Sequence, residues 1–242
     1  MRRLLAIGIG AGDPEHLTLQ AVRALGELDV VFVVDKGEQA AELTALRREL
    51  LARHAPGARV VEIPDPPRDR SAEGYVEAVE DWRARRGEAW RAAIAAEQGV
   101  GGFLVWGDPS LYDSTLAILD SLGLQVSVIP GISSVHALTA RHAIALNRVG
   151  GAVQITTGRR LTAGGWPAGV GDVVVMLDPD CAFLGFPDAD IYWGAYLGGD
   201  DEILVSGRVG DVGEEIVRRR AQARARKGWI MDTYLLRSRS SE

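Results

Sequence analysis

The chain of 242 residues contains a single cysteine, Cys181, very little lysine and no long uninterrupted run of apolar residues. One cysteine excludes an internal disulfide framework. No segment approaches the roughly 20 apolar residues of a membrane span, and Gly8 and Gly10 interrupt the short apolar start. We therefore expect neither a signal peptide nor a membrane helix, and the composition predicts a soluble, cytoplasmic protein.

The chain also has fewer basic than acidic residues, and its formal net charge is −6 at pH 7. Proteins that bind nucleic acid neutralise phosphates with a basic surface, so this balance argues against a nucleic-acid partner. Only Lys36 and Lys227 are lysines, so 25 of the 27 basic residues are arginine. Two alternative explanations of that bias are a GC-rich genome and a role of arginine in carboxylate recognition. The four histidines show no metal-ligand spacing, and we predict no metal site.

Apolar, strand-like segments alternate with helical ones in the first half of the chain. The strand-like segments include "RLLAIGIG", "DVVFVVD" and "GGFLVWG". This alternation is typical of a mainly parallel sheet that helices cover on both faces. After residue 130 shorter strands follow at hairpin-like spacing without long helices, which favours a mixed sheet. We therefore predict two α/β domains, residues 1–130 and 131–242, with a cleft between them.

The glycine-rich segment "GIGAGDPEH" suggests a nucleotide-binding loop, but it matches neither common phosphate-binding motif. A dinucleotide fingerprint needs a third glycine where Asp13 stands, and a P-loop needs a following Gly-Lys-Ser/Thr. A similar segment, "WGDPSLY", occurs later in the chain, so that two predicted strands are each followed by Gly-Asp-Pro. Each copy alone is a good turn. Two copies at the carboxyl ends of parallel strands, where open α/β sheets bind ligands, indicate a binding site.

The segments "GIGAGDPEHLTLQAVRAL", "WGDPSLYDS" and "PGISSVHAL" together resemble the tetrapyrrole methylases, which use S-adenosylmethionine. The resemblance covers essentially the whole chain. It implies a two-domain α/β fold with an N-terminal mainly parallel sheet, a C-terminal mixed sheet and the cofactor in the cleft, and it implies a homodimer. The segments "VVDKGEQAAELTALRREL" and "QITTGRR" are similar to members of cobalamin biosynthesis that methylate carbon 1 of precorrin-5. In that reaction the acetyl group leaves as acetate, and S-adenosylhomocysteine is the second product.

The resemblance also places the cofactor site on this sequence. A neutral adenine requires backbone hydrogen bonds and an apolar slot rather than charged groups, and the implied residues are mostly small or apolar. They are Gly107, Asp108, Leu111, Ser133, Ser134, Met176, Leu177, Ala195, Tyr196 and Thr233.

On the tetrapyrrole side, the resemblance implies the first glycine loop, in which Ala11 stands where many relatives have proline. Arginines of "PPRDR" and "TTGRR" are candidates for binding the acetate and propionate side chains of the substrate, although a surface salt bridge is the alternative role for each. The predicted substrate-binding residues are Gly10, Gly12, Asp13, Arg68, Arg70, Asp113, Arg159 and Arg160.

The implied reaction needs a base, because water must attack the acetyl carbonyl before the macrocycle attacks the methyl group. Asp35, at the end of a predicted strand, is the candidate base, and a turn or helix-capping carboxylate is its alternative role. Lys36 is the candidate for stabilising the carbonyl oxyanion or binding a substrate carboxylate. Tyr112, after the second Gly-Asp-Pro, is the third catalytic candidate.

Other functions remain open at this stage. The same fold and cofactor serve other acceptors: a different precorrin position, the diphthamide precursor or ribosomal RNA, the last disfavoured by the acidic charge. A nicotinamide-dependent oxidoreductase is disfavoured by the broken fingerprint. A non-catalytic module that binds S-adenosylhomocysteine is the third class.

Overall fold

The computed structural model describes Met1 and residues 3–35, 41–66 and 75–239. The chain divides into two compact units. The N-terminal unit comprises Met1–Gly10 and Pro14–Ile132, and the C-terminal unit comprises Ala11–Asp13 and Ser133–Glu242.

The N-terminal unit is built on a five-stranded sheet in which every pair of neighbouring strands is parallel. The order is β3-β2-β4-β1-β5. The strands are β1 Arg3–Gly8, β2 Val30–Asp35, β3 Arg59–Pro64, β4 Val100–Val105 and β5 Ser127–Ile129. Of the three inner strands, β1 and β4 are buried almost throughout, as expected for parallel strands covered on both faces. The predicted parallel sheet is confirmed.

Within the described residues, four α-helices cover the two faces of this sheet: α1 Leu19–Gly26, α2 Ala41–His54, α3 Tyr75–Ala95 and α4 Thr115–Ser121. Thr18 caps α1, because its Oγ1 accepts a hydrogen bond from Ala21 N at 3.0 Å. Alternate residues of β1 enter different cores. Leu5 packs with residues of α1 and α2, whereas Leu4 packs with residues of α3 and α4.

The C-terminal unit is built on a mixed sheet of order β6-β7-β10-β8-β9. Its strands are β6 Val153–Thr157, β7 Asp172–Met176, β8 Asp190–Ala195, β9 Ile203–Arg208 and β10 Asp232–Arg237. Only the β6–β7 pair is parallel, and the other three pairs are antiparallel. The predicted mixed sheet is confirmed.

The expectation that this half lacks long helices is wrong. It contains α5 Ser134–Arg141, α6 Gly158–Gly164 and α7 Val209–Lys227, the last of 19 residues. Only a narrow stripe of α7, including Ile216 and Ala223, is buried, so apolar periodicity is weak in its sequence. The helix ends at Lys227 and is capped by Gly228, whose φ of +78° suits glycine and whose N–H donates to Arg224 O at 2.8 Å.

None of the helices in the described ranges combines the length and apolar character needed to cross a membrane.

Candidate functional site

Four glycines, Gly8, Gly10, Gly107 and Gly131, bring the ends of neighbouring strands of the N-terminal unit into close contact. Gly107 follows β4 and forms an antiparallel bridge with Gly10, to whose carbonyl its N–H donates at 2.8 Å. A Cβ on Gly131 would lie 2.1 Å from Gly107 O, and a Cβ on Gly8 would lie 2.6 Å from Gly131 N. Because only glycine permits such an approach, these positions fix the geometry of the loops at this sheet edge.

The carboxylate of Asp108 holds the second Gly-Asp-Pro loop in shape. Its Oδ2 accepts a hydrogen bond from Gly131 N at 2.9 Å. Its Oδ1 accepts from Ser110 N at 2.8 Å and from the Ser110 hydroxyl. Leu111 N donates to the carbonyl of Asp108 at 3.2 Å. The loop is therefore fixed from both of its ends, and Asp108 and Leu111 belong to one rigid turn.

Tyr112 and Asp113 connect this turn to α4. Tyr112 has a left-handed backbone with φ +51°, and 46% of it is exposed. Non-glycine residues in that conformation cost free energy and cluster at functional sites. Asp113 Oδ1 accepts a hydrogen bond from Thr115 N at 2.6 Å, an Asx turn that gives the first N–H of α4 a partner just before the N-cap, Ser114. The structure thus gives Asp113 a local structural role, and its proposed contact with substrate stays a prediction.

Asp35 ends β2 at the same sheet edge. Its backbone pairs in register with Pro64 of β3. On the other side β2 pairs with β4, where Phe32 faces Phe103. The pairing with β4 ends at Phe32, three residues before Asp35, and Trp106 directly follows β4 at the same carboxyl edge of the sheet. Lys36, Arg68 and Arg70 lie outside the described residues, and so does the side chain of Asp35.

In the C-terminal unit, three adjacent strands bring predicted cofactor residues to one sheet edge. Thr233 of β10 is in register with Met176 of β7 on one side and with Gly194 of β8 on the other. Ala195 is the next residue of β8. Thr233 is 3% exposed, and its hydroxyl donates to Val175 O at 2.9 Å. Met176, Thr233 and Ala195, distant in sequence, are therefore neighbours in the structure.

The residues that follow β7 and β8 both have left-handed backbones, with φ +53° at Leu177 and +51° at Tyr196. Leu177 is 64% exposed, unusual for a large apolar residue at a strand end. Tyr196 is buried, and its hydroxyl donates to Trp229 O at 2.7 Å while its ring packs edge-on against that indole at 4.9 Å. The two turns combine an accessible apolar surface with a fixed backbone, the features that an adenine requires.

Ser133 and Ser134 stand at the start of α5. Ser133 is the N-cap: its Oγ accepts from His136 N at 3.4 Å and lies 2.9 Å from His136 Nδ1. Ser134 is the first helical residue and is half-buried. The helix cap thus engages the Ser133 hydroxyl.

The glycines of the first loop are required by close packing. Gly10 has φ +83°, and a Cβ there would lie 2.3 Å from His16 Cβ. Gly12, like Asp13, belongs to the C-terminal unit. Its φ is +154°, and a Cβ on Gly12 would lie 2.5 Å from Leu197 O. These constraints fall on the glycines and not on position 11, so the chain accommodates Ala11.

Arg159 and Arg160 lie in the first turn of α6, directly after β6. Both are exposed, and neither has an ion pair or side-chain hydrogen bond within the part of the chain that the structure describes. Because Thr157 pairs with Met176, α6 starts beside the strand end that carries Met176. The two arginines therefore stand at the same sheet edge as the predicted cofactor residues of this unit.

A buried polar network supports this sheet edge, and the sequence interpretation missed it. Asp178, next to Leu177, accepts hydrogen bonds at Oδ2 from Ala182 N and from the hydroxyl of Tyr234, both at 2.7 Å. Burial and this bond to the carboxylate raise the pKa of Tyr234 above its usual range. A Cβ on Gly158 would lie 2.2 Å from Asp178 Oδ1. The Gly in "TTGRR" is the local signal that could have indicated this contact.

A second buried carboxylate, Asp232, is paired with Arg220. Arg220 Nε donates to Asp232 Oδ2 at 2.9 Å, and Trp193 Nε1 donates to the same oxygen at 3.0 Å. Burial raises the pKa of Asp232, and the charge of Arg220 opposes that effect. Arg220 Nη2 also donates to Asp178 O at 2.8 Å, so this pair holds the start of β10 beside the turn after β7. Within the described ranges, no group of three or more His, Cys, Asp or Glu side chains could hold a metal ion.

Comparisons with known proteins agree with this architecture. The family model described as "Tetrapyrrole (Corrin/Porphyrin) Methylases" matches residues 3–213. The chain is 47% identical over 250 residues to the precorrin-6A synthase [deacetylating] of Sinorhizobium sp, covering 98% of this chain and 95% of that protein. It is 33% identical over 139 residues to the precorrin-2 C(20)-methyltransferase of the same source, over 54% of each chain.

A solved structure is also similar over nearly the full length. The putative cobalamin synthesis related protein (CobF) of Corynebacterium diphtheriae superposes with a TM-score of 0.84 at 39% identity, covering 98% of both chains. The match to the family model over most of the chain and the near full-length relative at 47% identity show that this chain belongs to the tetrapyrrole (corrin/porphyrin) methylases.

Proposed function

We propose that this chain transfers a methyl group from S-adenosylmethionine to carbon 1 of precorrin-5 and releases the acetyl group of that carbon as acetate, which is the deacetylating precorrin-6A synthase reaction of cobalamin biosynthesis. The near full-length match to the Sinorhizobium precorrin-6A synthase carries the proposal. The match to a precorrin-2 methyltransferase covers little more than half of this chain, so it supports the family more than the acceptor.

We propose two domains, residues 1–130 and 131–242, and assign cofactor-binding residues to each of them. The N-terminal unit contributes Gly107, Asp108 and Leu111 of one hydrogen-bonded turn. The second set lies at the edge of the mixed sheet and at the start of α5: Ser133, Ser134, Met176, Leu177, Ala195, Tyr196 and Thr233. This second set is uncharged, and left-handed turns at Leu177 and Tyr196 leave backbone groups and apolar surface for a neutral base.

When bound, S-adenosylmethionine supplies an electrophilic methyl group. The chain's own task is to align that group with carbon 1 of the macrocycle, which is the proximity contribution to catalysis. We propose that Asp35 removes a proton from the water that attacks the acetyl carbonyl. Lys36 then stabilises the developing oxyanion, and Tyr112 lies beside the reacting groups. The position of Asp35 at the carboxyl end of β2, paired with Pro64 of β3 in the parallel sheet, supports this assignment.

The tetrapyrrole is proposed to contact the first glycine loop, with Gly10, Gly12 and Asp13, and the turn that contains Asp113. Its carboxylate side chains are proposed to bind arginines, because the planar guanidinium matches a carboxylate with two parallel hydrogen bonds. Arg159 and Arg160, exposed at the start of α6, are available for this role, and Arg68 and Arg70 complete the set.

A comparison of acceptors tests the proposed substrate. The protein is incubated anaerobically with S-adenosylmethionine carrying a labelled methyl group and, in separate reactions, with precorrin-5, precorrin-2 or ribosomal RNA. The proposal predicts label transfer to precorrin-5 alone. Transfer to precorrin-2 or to RNA instead would overturn the acceptor and keep the methyltransferase class, whereas NADH binding without transfer to any acceptor would indicate an oxidoreductase.

We further propose a homodimer located in the cytoplasm. Light scattering of the purified protein should give twice the mass of the chain, and cell fractionation should place it in the soluble cytoplasmic fraction. A monomeric mass, or recovery with membranes, would contradict these two proposals.

A further inference from the structure

Arg47 occupies an unusual position for an arginine. It lies on the face of α2 that packs against the parallel sheet, because Leu50 and Leu51, three and four residues on, are both buried. Arg47 is half-buried, whereas the adjacent Arg48 is exposed. An arginine on the core-facing side of a helix loses hydration that its exposed neighbour keeps, and this loss needs compensation.

The compensation within the described residues is incomplete. The guanidinium carbon of Arg47 lies 5.8 Å from the centre of the Trp106 ring, a weak cation–π contact. In the described part of the chain Arg47 forms no hydrogen bond and no ion pair within 4 Å. Burial lowers the pKa of Arg47, and the charge of Asp113 opposes that effect. Arginine nevertheless stays protonated in proteins, so the site holds a partly desolvated cation whose donors are unused among the described residues.

Two further polar groups close to the same sheet edge lack partners. The indole Nε1 of Trp106 and the Nδ1 of His16 are buried and form no hydrogen bond with any residue that the structure describes. Trp106 immediately precedes Gly107, and His16 packs against Gly10, the bridge partner of Gly107. Buried polar atoms are almost always paired with protein or water. These two unpaired atoms lie close to the guanidinium of Arg47, which also lacks a partner among the described residues. This clustering indicates that a bound ligand supplies the missing hydrogen bonds.

We infer that Arg47, together with the Trp106 indole N–H, binds one carboxylate side chain of the tetrapyrrole substrate. Both groups are donors without acceptors in the described part of the chain, and a carboxylate supplies two acceptor oxygens in the plane that a guanidinium recognises. Trp106 also offers an aromatic face beside the loop that follows β4. The inference rests on the proposed function, since it names the part of the same substrate that the N-terminal unit holds.

Arg47→Met tests this inference, with Arg48→Met as the matched control on the exposed neighbour. We expect Arg47→Met to raise the KM for precorrin-5 and the Kd for uroporphyrin III, a polycarboxylate tetrapyrrole probe, by about 10- to 100-fold, the loss expected for a charge-assisted hydrogen bond. Affinity for S-adenosylhomocysteine should stay within about twofold, as for any change confined to the tetrapyrrole contacts. Arg48→Met should match the wild type in all three measurements.

Stability distinguishes a binding residue from a structural one. Arg47→Met removes a desolvated cation that has no close partner, so the unfolding midpoint should stay the same or rise. Arg47→Lys keeps the charge but not the two-pronged geometry, and it should lose an intermediate part of the affinity. A lower midpoint with parallel loss of both ligands, or tetrapyrrole binding unaffected in both variants, would overturn the inference.

The two probes separate this inference from the proposed function. If the wild type binds uroporphyrin III but does not methylate precorrin-5, the proposed reaction fails. Selective weakening of uroporphyrin binding by Arg47→Met would then still support the carboxylate contact. If the wild type methylates precorrin-5 and Arg47→Met leaves its KM unchanged, the reaction stands and the contact is wrong.

Discussion

The Asp108 carboxylate accepts a hydrogen bond from the backbone N–H of Gly131 at 2.9 Å. This bond joins the second Gly-Asp-Pro loop to the turn of "PGISS", 23 residues further along the chain. Gly131 must in turn be glycine, because its Cα packs against the carbonyl of Gly107. Two sequence motifs that are each weak alone therefore form one structural unit, which accounts for their joint appearance.

The first prediction concerns this packing. Gly131→Ala should lower the free energy of unfolding by about 1–3 kcal/mol, because the added Cβ would lie 2.1 Å from Gly107 O. Denaturant unfolding measures the change. Gly57→Ala is the control, since a Cβ there meets no atom within 4 Å. Equal effects of the two substitutions would contradict the account.

The second prediction concerns the carboxylate of Asp108 and the Gly-Asp-Pro loop that it holds in shape. Asp108→Asn removes the charge from a carboxylate that accepts hydrogen bonds from Gly131 N and Ser110 N, so one of these donors loses its partner at a cost of about 1–3 kcal/mol. We expect calorimetry to show at least about tenfold weaker binding of S-adenosylhomocysteine. Asp120→Asn, on the exposed side of α4, should bind like the wild type. Unchanged binding by Asp108→Asn would remove this loop from the cofactor site.

The third prediction is a pH dependence of stability. Burial and the bond to Asp178 raise the pKa of Tyr234 in the folded state, so its contribution to stability is complete below about pH 10, the ordinary value for tyrosine. Above that pH the unfolded chain releases the proton and the folded chain keeps it. The free energy of unfolding should then fall by about 1.4 kcal/mol per pH unit from this residue.

Denaturant unfolding between pH 9 and pH 11 checks this slope. Tyr234→Phe should show a slope shallower by that amount, together with a loss of about 1 kcal/mol at neutral pH from the missing hydrogen bond. Tyr192→Phe, which leaves Tyr234 in place, should keep the wild-type slope. Identical slopes for the wild type and Tyr234→Phe would show that another group carries the alkaline dependence.

The fourth prediction addresses the proposed base. Asp35→Asn should slow acetate release by about 100-fold or more, the usual contribution of general base catalysis, while the affinity for S-adenosylhomocysteine stays the same. Rapid-quench measurement of acetate gives the rate, with Asp120→Asn as the control for loss of one carboxylate. Acetate release at the wild-type rate in an Asp35→Asn protein that binds cofactor would refute the assignment.

The fold was largely predictable from the sequence because buried parallel strands such as β1 and β4 have continuous apolar sequences. The helix α7 was not, because few of its residues are buried and its charged face dominates the pattern. The contact of Gly131 with Gly107 joins distant segments, and no local signal encodes it. Arg47 and Arg48 are adjacent residues of the same type, and the structure distinguishes them by the burial of Arg47 and its contact with Trp106.

The most direct test of the account is the ratio of acetate released to methyl groups transferred. The purified protein is incubated anaerobically with S-adenosylmethionine and enzymatically prepared precorrin-5, and tetrapyrrole mass and free acetate are followed together. The account predicts loss of the acetyl group and gain of one methyl group in step, with one acetate for each methyl. Methyl transfer to precorrin-5 without acetate would contradict the proposed reaction.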